Sequence, residues 1–365
     1  MSPRVKRKRT CQSDGRCAVA RKLKPARDVR RSTTDRSAPR VNGIEKENGM
    51  TLRDPLRWMA FTAMALIWCF VPHVDLQARQ ARNTGTSVVN GAIDIHVHTL
   101  PDDRPRALDG VQAARQAHDR GMRAIVLKNH YESTAGLAYL VRTLVPGIDV
   151  FGGIDLNLTV GGINPAAVEH MTRVTGGFGR IVWMPTFDAE NQVRYSKENR
   201  PFVSVSRAGE LLPEVRQVIG LIAKHNLVLA TGHSSAEEGL MLLREGRRQS
   251  VQRMVVTHAM NPPIAMNVAQ MQEAAKLGAF IEFVGSSPVS ADARMRYDGF
   301  AAAIRKIGPD VTILSSDLGQ MGNPLPVDGF GGFLTALRER GFSEQDITRM
   351  AKENPARLLG LGGAP

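Results

Sequence analysis

From residue 88 onward the chain alternates short apolar runs, rich in β-branched residues, with longer segments whose apolar positions recur at helical spacing. Eight such pairs follow one another, which is the rhythm of an α/β barrel. We therefore predict a (β/α)8 TIM barrel over residues 88–362. An open doubly wound sheet is the alternative, although no Gly-x-Gly-x-x-Gly turn follows the first strand. The predicted strands are Ala92–Val97, Ala124–Leu127, Val150–Leu156, Arg180–Met184, Leu227–Thr231, Arg253–Thr257, Ala279–Val284 and Val311–Ser315.

Local signals also predict where some helices begin. Asn164-Pro165 places a capping residue before a proline in the first turn, and Ser343 opens a capping-box-like start. The long polar stretch 186–208 after the fourth strand predicts a loop with a small hairpin or a lid. The predicted helices are 108–120, 134–144, one from 164, 210–225, 236–247, 268–277, 291–307, 331–340 and 343–359.

The net charge of +13 is concentrated before the barrel. Residues 1–49 hold fifteen Lys and Arg against five Asp and Glu, which accounts for +10 of the total. This segment lacks aromatic residues and apolar periodicity, so we predict a disordered basic extension. A nucleic-acid or anionic-membrane tail is one alternative, and an over-extended gene start, with translation beginning at Met50, is another. The near-neutral barrel itself does not predict a nucleic-acid partner.

Residues 50–78 have the layout of a signal peptide. A short positive region precedes the uncharged run 58–72, which is shorter than the ~20 residues that span a bilayer. Cleavage after Ala78 would give a periplasmic or secreted enzyme. An uncleaved membrane anchor through 58–72 and an apolar helix packed on a cytoplasmic barrel are the alternatives.

The cysteines exclude several chemistries from the barrel. Cys11, Cys17 and Cys69 all precede residue 70. The predicted barrel therefore has no disulfide, thiolate metal ligand or cysteine nucleophile.

Histidines gather at the carboxyl ends of the predicted strands, where barrel enzymes place their active sites. His96 and His98 end the first strand, and residues i and i+2 of a strand share a side, so both imidazoles can reach one ion. Further histidines follow strands two, five and six, and an aspartate follows strand eight. These residues are His130, His233, His258 and Asp317.

The ordered set resembles the amidohydrolase superfamily, which is marked by His-x-His after strand one, His after strands five and six, and Asp after strand eight. The closing segment 354–361 resembles it too. The resemblance implies a metal-dependent hydrolase that activates water for attack on an amide, lactone, cyclic imide or related ester. The sequence departs from the superfamily at strand four, which ends Val182-Trp183-Met184 without the carboxylated lysine that bridges two metals in binuclear members.

Lys128 ends the second strand instead, and three interpretations stay open. It stabilises developing negative charge, or it is carboxylated and replaces the missing bridge, or it is a structural lysine paired with Asp94 or Asp155. Glu282 is a weaker site candidate, more typical of a satisfied barrel carboxylate.

The hypothesis that follows assigns one divalent ion, most typically zinc, to His96, His98, His233 and Asp317. Asp317 transfers the proton and His258 stabilises the oxyanion, with Lys128 or His130 as a further candidate for that role. A second ion held by His130, His258 and Lys128 stays open.

The loop after the first predicted strand and the end of the fourth carry candidate substrate-binding residues. Arg104 and Arg106 are candidates to bind an acidic group of a small-molecule substrate, and Trp183 is a further substrate-binding candidate.

The alternatives to a hydrolase are a metal-dependent decarboxylase on the same site, a phosphoesterase, and a non-catalytic binding module. A homo-oligomer is compatible with such a barrel.

Overall fold

A computed structural model of the protein describes residues 87–286 and 291–362. The basic extension 1–49 and the signal-peptide or anchor segment 50–78 lie outside these residues, so both stay predictions. Within the described ranges, no helix has the length and apolar character needed to cross a membrane.

Eight parallel strands form the barrel, in the order in which they follow one another along the chain. The last strand meets the first through the bridge between Val97 and Leu318, where the His98 amide donates to the Leu318 carbonyl at 2.9 Å. The predicted TIM barrel is thus confirmed. The strands are β1 Ile93–Val97, β2 Ala124–Leu127, β3 Asp149–Asp155, β4 Gly179–Trp183, β5 Val228–Ala230, β6 Arg253–Val256, β7 Ala279–Val284 and β8 Thr312–Ser315.

Helices connect these strands and pack around them. Two predicted starts are confirmed: the Asn164 side chain accepts from the amides of Ala166 and Ala167, and Ser343 forms a capping box with Asp346. The helices are α1 Gly110–Asp119, α2 Ala135–Leu144, α3 Pro165–Arg173, α4 Glu190–Tyr195, α5 Pro213–Lys224, α6 Ala236–Arg248, α7 Val268–Lys276, α8 Ala291–Ile307, α9 Pro326–Arg338, α10 Glu344–Thr348 and α11 Asn354–Leu359.

The small hairpin predicted near the stretch 186–208 is present, as Ser206–Arg207 with Glu210–Leu211, and α4 precedes it. Two predicted helices are corrected. The helix predicted over 210–225 begins only at Pro213, because the hairpin occupies its predicted start. The last predicted helix is divided into α10, a π-helical turn Arg349–Glu353, and α11. The π-helical turn has no strong local signal, because it lies in helix-compatible sequence.

Two apolar clusters hold the barrel together. The larger lies between the strands and the surrounding helices. The smaller gathers side chains from seven of the eight strands, such as Ile95 and Phe151, and therefore fills the barrel interior. Ala356, Leu358 and Leu359 of α11 belong to this second cluster, so α11 packs against the interior. Continuous burial along strands such as β2 explains their unbroken apolar sequence.

Candidate metal centre

Five imidazole rings form a closed ring of neighbours at the carboxyl ends of the strands. Successive ring centroids lie 5.1, 4.9, 6.3, 4.9 and 5.9 Å apart, ending on the first residue. All five side chains are at least nine-tenths buried. The order around the ring is His96, His98, His130, His233 and His258. Every histidine predicted at a strand end is therefore part of one cluster.

Asp317 lies against the first two members of this cluster. One carboxylate oxygen, Oδ1, is 3.2 Å from His96 Nε2 and 3.0 Å from His98 Nε2. The possible ligand atoms of these three residues all lie within 4.8 Å of one another. Two imidazole nitrogens and one carboxylate oxygen at this spacing fit a divalent metal ion.

Glu282 on β7 fixes the orientation of His96. Its Oε1 is 3.2 Å from His96 Nδ1 and accepts from the Ser315 hydroxyl at 2.5 Å, while its Oε2 accepts from the His258 amide at 2.8 Å. A carboxylate on Nδ1 keeps a proton on that nitrogen, so the neutral imidazole has its lone pair on Nε2, the nitrogen next to Asp317. Glu282 therefore joins three strand ends, and its predicted role as a satisfied barrel carboxylate includes positioning a candidate ligand.

Asp94 orients the backbone around the same histidine. Its Oδ1 accepts from the amides of His96 at 3.1 Å and Ser316 at 3.0 Å. The register between β1 and β2 shifts between Asp94 and Val97, in the segment that carries His96. Asp94 therefore orients the segment that carries His96 through main-chain amides.

Asp155 at the end of β3 organises the opposite side of the cluster. Its Oδ2 is 3.1 Å from Lys128 Nζ and 3.1 Å from His130 Nδ1, and it accepts from the Thr186 hydroxyl at 3.0 Å. Lys128 is fully buried, and its Nζ also lies 5.4 Å from the centre of the Trp183 ring. A carboxylate and an aromatic face are groups that pack against a cationic side chain in the protein interior. This environment fits the structural and electrostatic interpretations of Lys128 better than the carboxylated one.

His233 and His258 face each other across the remaining part of the ring. Their Nε2 atoms are 3.2 Å apart. His233 Nδ1 donates to Gln192 Oε1 at 2.8 Å, and the Gln192 amide nitrogen donates to Ser196, which fixes the orientation of the amide. A proton held on Nδ1 again leaves Nε2 of His233 free towards the cluster.

Burial sets the protonation of most of these imidazoles. It lowers the pKa of His98 to about 3, lowers those of His130 and His233 well below the usual value, and lowers that of His258. Burial also opposes protonation of His96, but the charges of Asp317 and Glu282 outweigh it and raise its pKa. Neutral imidazoles are the form that binds a metal.

The carboxylate of Asp317 is held in its ionised form. Burial favours the neutral acid, but the charge of His96 and the hydrogen bond from His98 outweigh it and lower the pKa of Asp317. An ionised carboxylate is both a metal ligand and a base.

Two site residues occupy the left-handed backbone region that favours glycine. His258 has φ 27° and Asp317 has φ 52°. Such conformations cost of order 1–3 kcal/mol each and occur where the surrounding structure enforces them, often at functional sites. Gly232, directly before His233, has φ 62°, and a Cβ there would lie 2.1 Å from the Met184 carbonyl oxygen. Glycine thus lets the backbone turn sharply into His233.

The cluster forms one wall of a cavity of about 520 Å³. Arg104, Arg106 and Lys128 line it together with the five histidines and Asp317. Trp183 is instead part of the interior apolar cluster, in contact with Lys128 below the cavity. The structure thus places two of the three substrate-binding candidates at the cavity wall.

Sequence reasoning missed several residues at this cavity. Gln192 and Phe187 lie in the loop after β4, and Phe187 packs 4.1 Å from the His130 ring centre and 5.6 Å from that of His233. Asn261 and Gln320 also line the wall. The sequence carries no periodic or motif signal for these loop positions, because their place depends on how the loops fold over the barrel.

A family model matches residues 91–282, just over half of the chain, and its description is a family of unknown function, DUF6282. The chain belongs to the DUF6282 family. No curated protein sequence matches this DUF6282 member. The matched range includes all five clustered histidines, and Glu282 is its last residue, whereas Asp317 lies beyond it.

Solved structures share the fold of this DUF6282 chain at low identity. An organophosphorus hydrolase from Deinococcus radiodurans is 16% identical with a TM-score of 0.52, covering 74% of this chain and 92% of its own. An amidohydrolase from Pseudomonas aeruginosa is 13% identical with a TM-score of 0.54, covering 74% and 96%. A protein engineered for organophosphate hydrolysis from a weak promiscuous lactonase template is 17% identical with a TM-score of 0.52, covering 75% of this chain and 99% of its own.

Proposed function

We propose that this protein is a metal-dependent hydrolase of the amidohydrolase type. The observation that carries the proposal is the convergence of two imidazoles on Asp317, with the ligand atoms of His96, His98 and Asp317 within 4.8 Å of one another. Barrel neighbours that are described as hydrolases support it, although at their low identity they share only the fold.

The donor set suits zinc, because zinc prefers imidazole and carboxylate ligands. His96, His98 and Asp317 would hold the ion, with His233 beside His258 as the next nitrogen donor. A bound divalent ion supplies Lewis acidity, which polarises a carbonyl or phosphoryl group and lowers the pKa of water. A second ion remains a further hypothesis, for which His130 and His258 offer the nearest imidazoles.

The protein residues have separate tasks in this proposal. Asp317 accepts a proton from the attacking water and passes it to the leaving group. Lys128, paired with Asp155, supplies fixed positive charge at the cavity wall, and His258 donates to the oxygen that becomes negative. The substrate class that suits this arrangement is an amide, lactone, cyclic imide or related ester.

Metal analysis of the full-length protein tests the site. After loading with zinc and desalting, we expect at least one ion per chain in the wild type, and its loss in His98→Ala. His170→Ala is the matched control, because His170 is exposed on α3 and should leave the metal content unchanged. Wild-type protein without bound zinc, or His98→Ala with undiminished zinc, would overturn the metal site.

A hydrolysis screen tests the activity. Lactones, amides, cyclic imides and phosphoesters would be offered with and without a chelator, and products identified by mass. Chelator-sensitive release of an acid supports the proposal. Release of carbon dioxide would reject hydrolysis in favour of the decarboxylase alternative.

We also propose that the enzyme acts outside the cytoplasm on a small molecule. The support is the signal-like layout of residues 50–78. Amino-terminal sequencing of the native protein tests this, and a mature chain that begins before Met50 would contradict the signal peptide.

A further inference from the structure

A guanidinium group lies at the cavity wall without a carboxylate partner. Arg104 donates to the Tyr131 hydroxyl at 2.7 Å, and its guanidinium carbon lies 4.3 Å from the centre of the Phe187 ring. Among the described residues no carboxylate lies within ion-pair distance of it, and this includes the neighbouring Asp103. Hydroxyl and aromatic contacts hold the guanidinium in place while leaving its charge uncompensated.

A second guanidinium on the same loop is buried and incompletely satisfied. The Arg106 side chain is 4% exposed, and its Nε donates to Asp102 Oδ2 at 2.7 Å. Its Nη2 is buried without a hydrogen-bond partner among the described residues. An unpartnered buried donor on a charged group is costly, so Arg106 is incompletely satisfied without a further acceptor.

Among the described residues that line the cavity, cationic side chains outnumber carboxylates. Of the described residues that line it, Arg104, Arg106 and Lys128 are cationic, and Asp317 is the sole carboxylate. Asp155 pairs with Lys128, Asp102 pairs with Arg106, and Asp317 lies against His96 and His98, so among the described residues at this wall Arg104 is the cation without an ion-pair partner. Guanidinium groups bind carboxylate and phosphoryl oxygens in paired hydrogen bonds.

Phe187 separates this charge from the histidines. Its ring contacts the Arg104 guanidinium and also packs on His130 and His233. An anionic group bound at Arg104 is therefore held apart from the imidazoles at which a bond would be cleaved.

We propose that the substrate carries a carboxylate or phosphoryl group and that Arg104 and Arg106 bind it. The inference rests on the proposed hydrolase function for what happens to the rest of the substrate. It narrows the substrate class to small anionic amides, lactones or esters whose charged group is not the group that reacts.

Probe binding to the full-length protein tests the proposal independently of activity. Benzoate, phenyl phosphate and neutral benzamide would be titrated by ligand-detected NMR, with zinc-loaded and zinc-free protein. We expect at least one anion to bind roughly tenfold or more tightly than benzamide, since a charge-assisted hydrogen bond is worth about that factor. The anion that binds more tightly shows whether the charged group of the substrate is a carboxylate or a phosphate.

Variants then locate the binding. Arg104→Gln should weaken the preferred anion by roughly tenfold or more, leaving benzamide binding and zinc content unchanged. Arg106→Lys keeps the positive charge but loses the paired donors, so it should weaken binding of the preferred anion by a smaller factor. Arg194→Gln is the matched control, because Arg194 is an exposed arginine of α4 already paired with Glu190.

The outcomes separate the two hypotheses. Equal binding of benzamide and both anions, or unchanged anion affinity in a folded Arg104→Gln variant, would overturn the arginine site. Absence of zinc in the wild type, with anion binding that still depends on Arg104, would reject the hydrolase proposal and retain the anion site.

Discussion

Glu282 offers a sharp test of how the barrel prepares its candidate metal ligands. The change is Glu282→Gln, which preserves size and shape and removes one charge. Both carboxylate oxygens face donors: Oε1 faces His96 Nδ1 and the Ser315 hydroxyl, and Oε2 faces the His258 amide. Glutamine has one oxygen for these two positions, so its NH₂ group must face a donor in either orientation.

Each orientation has a defined cost. If the NH₂ group faces the His258 amide, two donors meet in a buried place, which costs about 1–3 kcal/mol of stability. If it faces His96, the imidazole must accept at Nδ1 and carry its proton on Nε2, so the nitrogen next to Asp317 loses its lone pair. Loss of such a supporting contact typically lowers metal affinity by 10–100-fold, or about 1.4–2.7 kcal/mol.

Competition with a chromogenic chelator for zinc measures this affinity in the wild type and in Glu282→Gln. Glu273→Gln is the control, because Glu273 pairs with Arg244 at the surface and is not among the residues that line the cavity. The expected result is a 10–100-fold weaker zinc complex in Glu282→Gln alone. Zinc affinity within twofold of the wild type together with an unchanged free energy of unfolding in urea would refute the reasoning, because either orientation of the glutamine amide must lower one of the two.

Two predictions concern stability. Lys128→Met leaves Asp155 buried without its cation and should lower the free energy of unfolding in urea by about 3–5 kcal/mol; a loss below about 1 kcal/mol would show that the pair is dispensable. Gly232→Ala places a Cβ 2.1 Å from the Met184 carbonyl oxygen at φ 62°, so we expect the free energy of unfolding to fall by about 1–3 kcal/mol. Gly136→Ala, on α2 with no atom within 4 Å of the new Cβ, should instead be neutral or stabilising, and equal effects of the two alanines would contradict the steric argument.

The sequence by itself determined the alternation of strands and helices and the strand ends at which the site residues lie. Both depend on local pattern: apolar runs specify buried strands, and His96 and His98 follow from their position at the end of one such run. The barrel then brings all strand ends to one face, so the clustering of His233 and His258 with them also follows from chain order.

Tertiary structure alone decided which group supports each imidazole. Glu282 reaches His96 across 186 residues, and Asp155 joins Lys128 to His130 through the ends of neighbouring strands. These contacts depend on strand register and on closure of the barrel. The periodicity of apolar residues reveals neither of them.

The positions of the loop residues were even less predictable from the sequence. Arg104 was visible in the sequence as a charge in a loop, but its value as a binding group depends on Phe187 beneath it and on the absence of a nearby carboxylate among the described residues. Gln192 had no sequence signal, because a glutamine in a polar loop becomes a support for His233 only when that loop folds over the barrel. Loop conformation is set by contacts that are distant in sequence, and for that reason the sequence located the site while the fold decided its chemistry.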